Sequence, residues 1–281
     1  MLFKNKKNES FQTSSCCETV VHCLNGFYFG YISLAIIKVF LTNFLRQTFR
    51  IFNTMSKVTF DSTNAKGSCT GVLQGDVSQT KKGVIVLQEW WGMNEQIIKE
   101  AALIGSQGNF VTLVPDLYRG ELATDNEEAS HLMDNLDWKG AVADIQGAAK
   151  FLISKGCTKV GVTGFCMGGA LSLAAAALVP EISAAAPFYG IPSKGLCDVG
   201  TITIPVQAHF GSTDDYIGFS SPADAKLLAE KQKHNKNFEL FMYEGCGHAF
   251  TNPTGPLGNY NEDACTLALG RMGEFMNKHL A

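Results

Sequence analysis

Lys159-Val160-Gly161-Val162-Thr163, followed at once by Gly164-Phe165-Cys166-Met167-Gly168-Gly169, is the stretch on which the fold turns. The first five residues read as a short apolar strand. The next six have the form of a G-x-S-x-G nucleophile elbow with cysteine in place of serine. In such an elbow the central residue sits on a sharp strand-to-helix turn, and glycines flank it because a Cβ there would strike strand or helix. The residues that follow, Ala170-Leu171-Ser172-Leu173-Ala174-Ala175-Ala176-Ala177-Leu178, are mostly strong helix formers. Cys166 is therefore expected at a helix N-terminus, where backbone N–H groups and the helix dipole favour a thiolate. The competing reading is a glycine-rich turn around an inert buried thiol.

Two further stretches favour the chemical reading. Gly211-Ser212-Thr213-Asp214-Asp215 follows the apolar run Ile204–Phe210, and Gly245-Cys246-Gly247-His248-Ala249-Phe250 follows Phe238–Tyr243. Each is a strand-like segment ending in a short loop with one functional side chain. A lone Asp or His in such a loop is ordinary turn chemistry. A nucleophile, an acid and a histidine in that chain order, each after a strand, form a catalytic constellation.

Outward from the elbow, strand-like and helical runs alternate from Lys57 to the C-terminus. Strands are expected at Ser68–Gln74, Gly83–Gln88, Phe110–Val114, Lys159–Thr163, Ala184–Tyr189, Val206–Phe210 and Phe238–Tyr243. Helices are expected at Glu95–Ser106, Trp138–Lys155, Met167–Leu178, Ser221–Asn235 and Glu262–His279, with Asn94 and Asp137 as N-caps. The central strands are continuously apolar, as in a sheet covered on both faces. The pattern predicts one α/β domain, doubly wound on a mostly parallel sheet with helices on both faces. Asn252–Asn259, rich in Pro and Gly, reads as an irregular surface loop.

Composition narrows the function. A net charge of −3 argues against a nucleic-acid partner. The nine cysteines are scattered without C-x-x-C pairs, which fits neither a disulfide framework nor a zinc site and favours a reducing, cytoplasmic setting. No metal-ligand spacing and no phosphate loop is present, so no cofactor is expected.

Residues 1–54 stand apart as an N-terminal extension to a domain over 55–281. They hold the apolar run Phe27–Ile37, and then an amphipathic pattern from Val39 to Phe52 with Arg46 and Arg50 opposite the apolar face. A membrane span needs about 20 apolar residues. Lys38 in its middle would cost roughly 2.5–3.5 kcal/mol. A cleaved signal peptide would put its apolar stretch nearer Met1. A basic transit or membrane-surface helix fits 39–52 better. A rarely translated extension before Met55 is the fourth reading. Membrane contact, on any of these, is left to residues 1–54.

Four stretches together carry a specific resemblance: Gln88-Glu89-Trp90-Trp91-Gly92-Met93-Asn94, Pro115-Asp116-Leu117-Tyr118-Arg119-Gly120, the Cys166 elbow, and Gly245–Phe250. The chain from about Met55 onward resembles the dienelactone hydrolase (carboxymethylenebutenolidase) family, the cysteine branch of the α/β-hydrolases. The resemblance implies a triad of Cys166, Asp214 and His248, with Asp214 preferred over Asp215 by the family's Gly-x-x-Asp pattern counted from Gly211. It implies an oxyanion hole from the backbone N–H groups of Met167 and Trp90. It further implies that Glu89 accepts a hydrogen bond from the resting thiol and is displaced by substrate, and that Arg119 binds a substrate carboxylate, with Tyr118 and Phe250 lining the pocket. One position departs from the pattern. The lactone-specific family member has a second arginine four residues after the catalytic histidine, where this chain has Asn252.

The expected activity is cysteine-dependent hydrolysis of a lactone, small ester or thioester through an acyl-enzyme, by a monomer or small homo-oligomer acting on a small molecule. A broad carboxylesterase or thioesterase is the alternative within enzymes. A non-catalytic ligand-binding or redox-sensing protein is the alternative outside them.

Overall fold

Eight strands form the sheet: β1 (Ser56–Phe60), β2 (Cys69–Gln74), β3 (Lys82–Leu87), β4 (Val111–Pro115), β5 (Lys159–Phe165), β6 (Ile182–Phe188), β7 (Val206–Gly211) and β8 (Phe238–Tyr243). The structure, a computed structural model, describes residues 55–281. The readings of residues 1–54, the run Phe27–Ile37 and the helix over 39–52 among them, lie outside the described residues.

The spatial order is β1-β2-β4-β3-β5-β6-β7-β8. The sheet is antiparallel at the β1–β2 and β2–β4 pairings. From β4 through β3 to β8 every pairing is parallel. The chain leaves β3 for β4 on one side and later returns to β5 on the other. Such a reversal opens a crevice beyond the carboxyl ends of the strands.

Helices cover both faces, as the sequence predicts. Along β3, Ile85 and Leu87 enter one core and Val84 and Val86 the other, the period of two that a strand imposes. The Ile85 side packs beneath α3 (Trp138–Ser154), α4 (Met167–Leu178) and α5 (Pro222–Lys231) through Ile145, Leu152, Leu171 and Leu228. The Val84 side packs beneath α1 (Glu95–Gly108) and α6 (Glu262–His279) through Ile97, Ile104, Leu269 and Met272.

The differences from expectation sit at the margins. The β1 edge strand and α2 (Asn126–Asp134) are additional. Only the last residue of β1 is buried, and in α2 only Ala129, so neither carries a strong apolar period. Asn94 caps α1 by accepting from the Ile97 N–H at 3.1 Å. Asp137 holds the N-cap position of α3 but makes no side-chain cap bond. The expected helix over Ser221–Asn235 is shorter, Pro222–Lys231, starting from a capping box between Ser221 and Asp224. No helix among the described residues is long and apolar enough to cross a membrane.

Candidate active site

Each residue of interest follows the carboxyl end of a parallel strand: Glu89 after β3, Cys166 after β5, Tyr189 after β6, Asp214 after β7 and His248 after β8. The sheet therefore delivers residues distant in sequence to one edge.

Cys166 is the N-cap of α4 and sits at φ 54°, ψ −115°. A non-glycine residue in that region carries roughly 1–3 kcal/mol of strain and persists only where its surroundings enforce it. The neighbours show how. A Cβ on Gly164 would lie 2.4 Å from the Gly168 carbonyl oxygen, and one on Gly168 would lie 2.5 Å from that of Leu87. The two glycines let α4 press against β5 and the end of β3, and the turn between them has no room to relax. Cys166 is 8% exposed, with its face toward a chamber.

His248 and Asp214 are both buried, and the His248 Nδ1 lies 2.8 Å from Asp214 Oδ2. The Ser220 hydroxyl lies 3.1 Å from the same nitrogen. Asp215 is exposed and makes no contact with the ring. With Nδ1 engaged, Nε2 is the nitrogen left for the sulfur. Burial opposes charge on the ring, but the hydrogen bond that it donates to Asp214, and then the Cys166 sulfur as partner, raise the His248 pKa to about 10. The ring thus holds its proton through neutral pH. Tyr189 and Tyr216 pack against the ring at centroid distances of 5.1 and 4.6 Å, the first in a T-shaped contact and the second tilted.

Met167 opens α4, so its N–H has no acceptor within the helix. The Trp90 N–H likewise has no backbone acceptor among the described residues. Both are free to face an oxyanion.

The chamber, about 320 Å³, is walled by Trp90, Trp91, Met133, Tyr216, Ile217 and Phe219. Pro256 and Leu257, from the irregular loop after Asn252, complete the wall. A second cavity of about 530 Å³ adjoins it across Met133 and Phe219.

Several expected roles are placed elsewhere. Glu89 lines the chamber, but its carboxylate is held by the Asn252 amide at 2.5 Å and the Tyr189 hydroxyl at 3.3 Å, with no hydrogen bond from the thiol. Burial pushes its pKa up, while Asn252 and the nearby His248 oppose the rise. Arg119 does not reach the chamber. Its Nη2 pairs with the fully buried Asp144 at 2.8 Å, and its Nη1 donates to the Asp116 carbonyl and approaches the Cys69 sulfur. A buried carboxylate without its cation would be costly, so the guanidinium is committed to the fold. Tyr118 lies beneath the elbow with its hydroxyl 3.1 Å from Met167 Sδ. Phe250 is fully buried between Tyr189 and Tyr243, beneath the chamber wall instead of in it.

The sequence reading missed Tyr189, whose hydroxyl links Glu89 to Thr251. Its signal was present, an aromatic at the end of the apolar β6 run, with φ 35° that only the turn reveals. It also missed the wall residues Met133, Tyr216 and Ile217, which come from segments with no local motif.

Comparison with known proteins identifies the family and the fold. A model of the dienelactone hydrolase family matches residues 69–280. A carboxymethylenebutenolidase of Pseudomonas putida is 29% identical, the match covering 75% of this chain and 92% of that protein. Protein usf of Aquifex pyrophilus is 33% identical over 60% of this chain and 77% of its own length. Among solved structures, a dienelactone hydrolase-like promiscuous phosphotriesterase from metagenomic libraries superposes with a TM-score of 0.67 at 21% identity, covering 80% of this chain and 99% of that one. The chain belongs to the dienelactone hydrolase family and is a hydrolase acting on ester bonds.

Proposed function

We propose that this member of the family hydrolyses a lactone, small ester or thioester through an acyl-enzyme on Cys166. The observation that carries the reading is the strained elbow that holds Cys166 at the chamber, facing a His248 ring fixed by Asp214.

The His248 ring and the N-terminus of α4 both set positive charge beside the sulfur that attacks. The thiolate attacks the ester carbonyl carbon, and the C=O pair moves onto oxygen. The Met167 and Trp90 N–H groups receive that charge. Collapse of the tetrahedral adduct expels the alkoxide or thiolate leaving group, which takes the proton from His248 Nε2. The neutral ring then takes a proton from water as it attacks the thioester. Cys166 leaves and the acid departs. Asp214 keeps the ring in the tautomer that allows both transfers.

The test is Cys166→Ala against a panel of aryl esters, thioesters and unsaturated lactones. Turnover of every substrate accepted by the wild type is expected to fall at least 1,000-fold, by analogy with other triads. Survival of more than a few per cent would place the nucleophile elsewhere.

A further inference from the structure

The chamber around Cys166 offers no lysine or arginine to pair with a carboxylate. Its ionisable and amide members are Cys166, His248, Glu89 and Asn252; the Tyr216 hydroxyl and the Trp90 and Trp91 indole N–H groups are neutral, and the remaining lining side chains are apolar. The one positive charge among them is the His248 ring, already faced by Asp214 at 2.8 Å. Glu89 can add a negative charge or none, never a positive one. Arg119 is bound to Asp144 outside the chamber. The adjoining cavity has a single cation among the described residues that line it, the exposed Lys139, and Asp137 lines the same cavity.

Asn252 decides this local charge balance. Its Oδ1 accepts from the Thr254 N–H at 2.9 Å and the Thr254 hydroxyl at 3.0 Å. That assigns the other amide atom as nitrogen, donating to Glu89 Oε2. Both ends of the amide are thus satisfied within the protein, and Asn252 pins Glu89 as a chamber wall. A substrate carboxylate in this space would be stripped of water, left without a free cation, and set beside Glu89.

We propose that the site takes uncharged, apolar acyl groups and rejects acyl groups bearing a carboxylate, with the Asn252–Glu89 pair as the filter. The proposal rests on the reading of Cys166 as nucleophile and names the substrate class of that site.

The experiment compares 4-nitrophenyl butyrate with mono-4-nitrophenyl succinate, equal in chain length and differing in the terminal carboxylate, using the full chain at pH 7.5. The butyrate is expected to show a kcat/KM at least 100-fold higher. Asn252→Arg, which sets a guanidinium against Glu89, is expected to narrow that ratio at least tenfold. Equal or faster hydrolysis of the succinate by the wild type would overturn the filter, and an unchanged ratio in a folded Asn252→Arg would remove Asn252 from it. Hydrolysis that persists in Cys166→Ala would instead overturn the nucleophile. A binding arm decides the question independently of turnover: quenching of tryptophan fluorescence by 4-phenylbutyramide against 4-phenylbutyrate. The amide is expected to bind at least tenfold tighter. Equal or tighter binding of the carboxylate, or no binding of the amide, contradicts the proposal.

Discussion

The proton on His248 is where structure and chemistry meet at the scale of a single residue. The ring's pKa in the fold, about 10, lies above its ordinary 6.5. Its contribution to stability is therefore complete below pH 6.5 and lost as pH rises through 10. Asp214→Asn should lower kcat/KM by roughly 10³–10⁴, from the loss of ring orientation. The same change should flatten the fall in melting temperature between pH 6.5 and 10, which calorimetry would read. A fall that persists unchanged would mean that another group titrates there. Glu100 offers a second test. It is buried, with Oε1 unpartnered, and burial together with the nearby Glu89 pushes its pKa up from 4.5 to about 8. A raised carboxyl contributes stability that is complete below 4.5 and lost as pH rises through 8. Glu100→Gln should leave stability at pH 4.5 nearly unchanged. At pH 8 it should raise stability, by up to about 1.4 kcal/mol for each pH unit crossed. Urea melts at the two pH values would show it.

At the scale of elements, the elbow is a packing device, whatever chemistry is proposed for it. A Cβ on Gly168 would meet the carbonyl oxygens of Leu87 and Gln88 at 2.5 and 2.6 Å, both backbone atoms that cannot swing aside. Gly168→Ala should cost about 3 kcal/mol and most of the activity. Gly270 is the contrast. It is exposed in α6 with nothing near an added Cβ, so Gly270→Ala should add about 0.5–1 kcal/mol in a urea melt with activity intact. This difference between glycines explains what was legible in the sequence. The elbow, the Gly211 loop and the Gly245 loop could be read because each needs particular residues at fixed spacing after an apolar run. Met167–Leu178 and Phe238–Tyr243 could be placed to the residue for the same reason. The strand β1 and helix α2 could not, because they bury too little to leave a period.

For the whole molecule, what sequence could not reveal is which way a side chain near the site turns. Tyr118, Arg119 and Phe250 all lie close to the motifs. Yet Phe250 turns into the core, Tyr118 under Met167, and Arg119 toward Asp144 on α3. Those directions are set by packing partners far along the chain, as are the chamber walls contributed by Met133 and Ile217. Residues 55–281 contain both cores and every residue assigned a role above. We therefore expect a chain beginning at Met55 to fold and to hydrolyse esters as the full chain does. Aggregation of the shortened chain would assign residues 1–54 to the fold.

The account stands or falls on a covalent bond to one sulfur. Enzyme quenched in acid during turnover of an aryl ester, digested and weighed by mass spectrometry, should carry the acyl mass on the peptide containing Cys166 and on no other. Brisk turnover with that peptide unmodified, or with the acyl group on a different residue, would contradict it.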